Sequence, residues 1–175
     1  MNRTLTLLVT LSFVIFLASG CNKGPARPAG MPPLYPATIT VTQEGTPLEG
    51  ATVQLIAEDS SLAQWGPGGI TDAKGEASLR TNGMYDGAPL GKYKVAVSKK
   101  EVEPHPHPEW SSLPYDDPNY QKYTAEDAKR KVLILVDPQI SNLATTTLAI
   151  EITASEKTYS IDAGKKVKSE LKTQQ

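Results

Sequence analysis

From residue 37 onward, apolar and polar positions alternate in short segments, which is the period of a strand with one buried face. The alternation is plainest near the middle of the chain, where Tyr93, Val95 and Val97 share one face and lysines occupy the other. The pattern predicts four early strands, at 37–42, 51–56, 77–81 and 91–97.

Clusters of glycine, proline and aspartate separate these strands. They predict turns at 44–47 and 72–75, and a loop over residues 59–69. In the second turn, the Asp72 side chain is expected to accept hydrogen bonds from the backbone that follows it.

The alternation of apolar and polar residues stops between Lys99 and Lys131. This segment contains five prolines and is called the insert below. Within the insert, residues 124–130 predict one or two helical turns with Thr124 as the N-cap. A connection of this length without a strand pattern is usually functional or disordered. After it, the pattern predicts a buried strand at 132–136 and a terminal hairpin formed by 145–152 and 157–161.

About seven short strands with turn residues between them predict an all-β fold, a β-sandwich with one long irregular insert. The predicted core is apolar or aromatic throughout. Its members are Ile39, Val41, Val53, Leu55, Leu79, Tyr93, Val95, Val97, Leu148, Ile150 and Ile152.

The N-terminus has the pattern of a secretory signal over residues 1–20: Arg3, an uncharged apolar run, then small residues. The apolar run is shorter than the roughly 20 residues that a membrane span needs. The only cysteine, Cys21, follows directly, as in a bacterial lipoprotein signal in which the cysteine receives the lipid. Asn22 rather than aspartate comes next, which favours an outer over an inner membrane.

Residues 21–36 are rich in proline and glycine and predict a semi-rigid extended spacer. The domain then occupies residues 37–162, and 163–175 predicts a basic flexible tail. The 18 basic and 19 acidic residues nearly balance, so the composition gives nucleic-acid binding no electrostatic support. The expected partners are a membrane, reached through the lipid, and an envelope protein or glycan.

Three motifs carry a resemblance. Residues 45–53 match G-x-P-L-x-G-A-x-V, 71–77 begin with T-D-x-x-G, and 91–97 match G-x-Y-x-V-x-V. The chain resembles bacterial lipoproteins with a carboxypeptidase-regulatory-like domain, also over a later S-x-L-x-x-x-x-x-x-I segment at 141–150. The resemblance implies a transthyretin-like Greek-key sandwich of the seven-stranded type, and it implies no chemistry.

His105 and His107, the only histidines, lie near acidic residues and are the candidates for a metal site. The prolines around them predict an extended chain that holds the two rings apart. With Tyr115, Tyr120 and Tyr123 the histidines superficially fit the iron ligands of intradiol dioxygenases, although the sequence contexts differ. The C-terminus lacks the Tyr-Arg-Gly-Ser signature of hydroxyisourate hydrolases. We therefore expect no enzyme activity, metal or cofactor.

Aromatic residues concentrated in the insert leave two interpretations open. Aromatic side chains on a loop bind sugars or peptides well, so one interpretation is that the insert contacts a carbohydrate or a protein. The alternative is that the insert folds back over a sheet edge and its rings form a local core. The candidate contact residues are Trp110, Tyr115, Tyr120, Tyr123 and, from the 59–69 loop, Trp65.

Overall fold

The alternating segments form strands in the structure, a computed structural model that describes residues 25–170. The first seven strands are β1 (Thr38–Gln43), β2 (Thr46–Pro47), β3 (Thr52–Ala57), β4 (Pro67–Ile70), β5 (Glu76–Ser78), β6 (Arg80–Thr81) and β7 (Tyr85–Asp86). The others are β8 (Gly91–Ser98), β9 (Lys100–Val102), β10 (Val132–Ile134), β11 (Ala149–Ile152), β12 (Thr158–Asp162) and β13 (Ser169–Glu170). The helices are α1 (Tyr120–Asp127) and 3-10 turns at Ser60–Leu62 and Pro108–Ser112.

The strands form three sheets. An antiparallel six-stranded sheet has the order β11-β8-β3-β4-β6-β7. A four-stranded sheet has the order β12-β1-β2, with β5 also paired to β1, and its β1–β12 pair is parallel. A small sheet, β13-β10-β9, is built around the two ends of the insert. The predicted all-β class is confirmed, with most of the ordered structure in strands.

One hydrophobic core receives side chains from both larger sheets, as the two layers of a sandwich do. The alternation predicted it well, since β1 and β8 each bury every second residue along most of their length. Leu148 and Ile150 are half-buried and pack against the core, whereas the other nine predicted core residues are buried. The predicted core list leaves out further buried members: Ala37, Leu48, Ala51, Ala77, Ala88, Val136, Tyr159, Ile161 and Ala163.

The predicted terminal hairpin is wrong. β11 pairs with β8 in the six-stranded sheet, whereas β12 pairs in parallel with β1 in the other sheet. The segment 153–157 therefore crosses between layers instead of closing a tight turn. A crossing also occurs at Leu79, which is 2% exposed and separates β5 in one sheet from β6 in the other.

The loop predicted over 59–69 ends earlier than expected, because β4 begins at Pro67. Gly68 pairs with Gln54, and a Cβ atom at Gly68 would lie 2.9 Å from the carbonyl oxygen of Val53. The glycine therefore permits a close approach of two strands that a larger residue would prevent.

Part of the predicted spacer packs on the domain. Residues 25–36 are called the strap below. Within the strap, the backbone N–H and C=O of Tyr35 form two 2.9 Å hydrogen bonds with the backbone of Ala88. The Tyr85 hydroxyl donates to the carbonyl of Ala26 at 3.1 Å. A Cβ atom at Gly87 would come within 2.5 Å of the Tyr35 oxygen, so glycine is what allows the strap to lie this close.

The strap and the insert lie at opposite ends of the sandwich. β8 begins at Gly91, three residues after the strap contact at Ala88, and its eight residues span about 24 Å before the insert starts. β1 runs the same way: it starts three residues after Tyr35 and ends at Gln43, whose Nε2 donates to the Leu135 carbonyl beyond β10. We call these the strap end and the insert end.

Residues 163–170, which the sequence predicts to be the start of a flexible tail, instead pack on the insert end. Ala163 is buried and donates to the carbonyl of Thr42, and β13 pairs with β10. The predicted signal peptide and Cys21 lie outside the described residues. No helix within residues 25–170 has the length and apolarity needed to cross a bilayer.

Candidate functional site: the aromatic and histidine cluster of the insert

The insert forms β9, a 3-10 turn and α1, so it carries more secondary structure than predicted. The predicted N-cap is wrong: α1 begins at Tyr120, and Thr124 lies inside it. The Thr124 hydroxyl donates to the Tyr120 carbonyl one turn back, a bond that a threonine can make within a helix.

Arg130 ties the end of α1 to the start of the insert. Its Nη1 donates to the Glu103 carbonyl at 2.8 Å, and its Nη2 pairs with the Asp127 carboxylate. The arginine is therefore a clamp between the segment that leaves β9 and the helix that returns toward β10.

Four rings form what we call the insert cluster: His105, His107, Trp110 and Tyr123. His107 stacks on Tyr123 with 4.0 Å between ring centroids and 13° between planes, and His105 stacks on Trp110 at 5.2 Å. The expectation that the prolines separate the histidines is wrong, since their ring centroids are 6.1 Å apart. The chain bends at Pro106 and His107, and the His107 N–H bonds back to the His105 ring, so both rings meet Tyr123 of α1.

Both nitrogens of His105, which is buried, are engaged by backbone groups. Its Nε2 is 2.9 Å from the Tyr123 carbonyl, which only accepts, so Nε2 donates. With the proton on Nε2, Nδ1 accepts from the His107 N–H at 2.9 Å, and its 2.8 Å approach to the His107 carbonyl is a contact rather than a hydrogen bond. His105 thus joins the two arms of the insert and has no lone pair to offer a metal ion.

His107 lies between two carboxylates. Its Nδ1 is 3.6 Å from Oε1 of Glu109, and its Nε2 is 3.8 Å from Oε2 of Glu126. The ring therefore lies between the 3-10 turn, which carries Glu109, and α1, which carries Glu126. In the part of the chain that the structure describes, no group of three or more His, Cys, Asp or Glu residues is arranged to hold a metal ion.

The remaining predicted contact residues divide. Tyr115 is 79% exposed and lies 5.2 Å from the half-buried Tyr120, so this pair presents aromatic surface to solvent. Trp65 lies apart from the aromatic residues of the insert. Trp65 is buried at the strap end. Its backbone N–H donates to the backbone carbonyl of Leu62, and the Leu62 side chain lies beside Gly91.

A groove that sequence reasoning missed crosses the six-stranded sheet. It has a volume of about 850 Å³ and runs over Gly68 and Gly69, between Ile70, Arg80 and Leu143. None of the predicted contact residues lines it. The signal was the pair of adjacent glycines at 68 and 69, which the local sequence pattern assigns to a loop.

No family model and no curated protein matches this chain. Among solved structures, it is similar to a 9R-lipoxygenase from Cyanothece PCC8801, with 16% sequence identity and a TM-score of 0.32. The match covers 79% of this chain and 18% of the lipoxygenase chain. At this TM-score the likeness carries no argument about fold type or activity.

Proposed function

We propose that this protein is a non-enzymatic, lipid-anchored protein of the bacterial cell envelope. Its sandwich holds the insert away from the membrane as a binding or structural module. The assignment of the sandwich to the transthyretin-like, Greek-key type is part of the proposal and rests on the sequence motifs.

One observation carries the proposal: the strap and the insert occupy opposite ends of β8. The strap continues directly from the segment that contains Cys21, and it is fixed to the domain at Tyr35 and Ala26. A lipid on Cys21 would therefore set the strap end toward the bilayer and the insert end away from it. An envelope partner would meet the insert first.

The bonding of the insert cluster supports a non-enzymatic role. Both ring nitrogens of His105 contact backbone groups, and the four rings of the cluster stack on one another in pairs. Such a cluster makes the insert rigid, which lowers the entropic cost of presenting its surface to a partner.

The test is the mass of the N-terminal fragment of protein isolated from its native membrane. A diacyl or triacyl adduct on Cys21 is the expected result. An unmodified Cys21, or a retained leader, would overturn the lipid-anchored function.

Glycan binding is a second candidate function, and the exposed Tyr115 beside Tyr120 is the observation that favours it. This pair is a better candidate for the glycan contact than the insert cluster, whose rings stack on one another. The double variant Tyr115→Ala and Tyr120→Ala should lose binding to peptidoglycan fragments, measured by calorimetry. Gln121→Ala, an exposed neighbour, is the matched control. Unchanged binding in the double variant, or no binding by the unmodified protein, would exclude this candidate.

A further inference from the structure

Two exposed apolar side chains lie at the strap end. Met84, at the tip of the β6–β7 hairpin, is 52% exposed, and Leu90, just before β8, is 40% exposed. Neither side chain belongs to the core, and neither is explained by the fold. An exposed methionine on a hairpin tip is a side chain that readily adapts to an irregular apolar partner.

The hairpin that carries Met84 is held firmly. Arg80 donates from Nη2 to the Met84 carbonyl at 2.9 Å and from Nε to Asp86 at 3.0 Å. The Thr81 hydroxyl donates to the Gly87 carbonyl at 2.8 Å. Asp86, the carboxylate nearest to Met84 in the chain, is therefore paired with a cation.

The same hairpin is fixed to the strap near the predicted lipid. Tyr85, the neighbour of Met84, donates its hydroxyl to Ala26. Five residue steps separate Ala26 from Cys21, and an extended chain covers at most about 18 Å in five steps. A lipid on Cys21 would thus keep the bilayer surface within a short reach of this hairpin.

We propose that the strap end is a membrane-contacting surface on which Met84 and Leu90 touch the interfacial region of a phospholipid bilayer. The inference rests on the proposed lipidation of Cys21. The length of the chain between Cys21 and Ala26 argues for a bilayer rather than a protein as the occupant. The contact would fix the tilt of the sandwich and direct the insert outward.

The experiment uses full-length protein purified from membranes. Two variants, Met84→Cys and Tyr115→Cys, place a thiol at the strap end and at the insert. A lipid on Cys21 leaves the new thiol as the only one that an environment-sensitive fluorophore can label. Each labelled protein is placed in vesicles of phosphatidylethanolamine and phosphatidylglycerol, with and without brominated acyl chains.

The proposal expects a blue shift and a loss of intensity with brominated lipid at position 84, and neither at position 115. Equal quenching at both positions, or none at 84, would overturn it while the lipid anchor stands. A blue shift at 84 that depends on protein dilution rather than on brominated lipid would assign the surface to a second copy of the chain, and would also overturn it. Labelling of the protein without any substitution would show a free Cys21 and would overturn the proposed function itself.

Discussion

The Tyr93 hydroxyl donates a 2.9 Å hydrogen bond to the carbonyl oxygen of Pro89, four residues earlier in the chain. Tyr93 is fully buried near the start of β8, and the bond fastens the turn that leads into that strand. The arrangement is similar to the tyrosine corner of β-sandwiches, in which a buried hydroxyl bonds to upstream backbone.

Tyr93→Phe should lower the free energy of unfolding by about 1–3 kcal/mol, because the buried Pro89 carbonyl loses its donor while the ring stays in place. Urea denaturation measures the change. Tyr115→Phe, on an exposed ring, is the matched control and should be neutral. Equal stability of Tyr93→Phe and the unmodified protein would show that the hydroxyl contributes nothing.

Alkaline pH should destabilise the protein through the same residue. Burial raises the pKa of Tyr93 to about 12, above the ordinary tyrosine value of 10.0 that holds in the unfolded chain. The folded state therefore favours the neutral phenol. The resulting stability is fully present below pH 10 and is lost between pH 10 and about 12, at up to about 1.4 kcal/mol per pH unit. In Tyr93→Phe this loss is absent, so the two stability curves should converge as the pH rises; parallel curves would contradict the assignment.

Gly87→Ala should free the strap. Gly87 has a φ of +97°, and an added Cβ would meet the Tyr35 carbonyl, so the two bonds between Tyr35 and Ala88 would break. Gly83→Ala is the control, since its φ is +71° but the space around it is open. Both variants pay about 1–2 kcal/mol for the left-handed backbone. Only Gly87→Ala should also lose hydrogen-exchange protection at Tyr35 and Ala88.

Thr71 joins two loops of the core. Its hydroxyl donates to the Leu48 carbonyl at 2.5 Å and accepts from the Ala51 N–H at 2.8 Å. Thr71→Val keeps the shape and removes both bonds, which should lower the free energy of unfolding by about 1–3 kcal/mol. Thr71→Ser keeps the hydroxyl and should recover most of that loss in the same thermal or urea measurement.

His105→Phe should loosen the insert without unfolding the sandwich. Phenylalanine can still stack on Trp110, but the Tyr123 carbonyl and the His107 N–H lose their ring partners. Hydrogen exchange should speed up across 105–107 and α1, and stay unchanged in β1 and β8. An equal increase in β1 and β8 would mean that the insert and the sandwich unfold as one unit.

Local sequence patterns were sufficient for the strands with one buried face. β1, β3 and β8 follow the alternation closely, and the Asp72 turn forms as predicted. The Asp72 carboxylate accepts from the N–H groups of Glu76 and Lys74, and these bonds lower the pKa of Asp72. Such features depend on residues close together in the chain.

The same local patterns could not predict which distant segments pair with each other. In β11 and β12, apolar and polar residues alternate as they do in the two strands of a hairpin. The two strands nevertheless belong to different sheets, because β11 pairs with β8 and β12 pairs with β1. β4 was missed because proline and glycine indicate a loop unless a neighbouring strand comes close enough to require them. The insert cluster depends on α1 returning to the histidines, which no local spacing specifies.

The parallel pairing of β1 with β12 has a mechanical consequence. A pull on the strap, opposed by a load on the insert, would act along the length of β1. Five paired positions, from Thr38 with Thr158 to Thr42 with Asp162, would then resist in shear and would have to fail together rather than one after another. If the domain is anchored at the strap end and bound by a partner at the insert end, the tension would therefore pass through β1, which its pairing with β12 holds against shear.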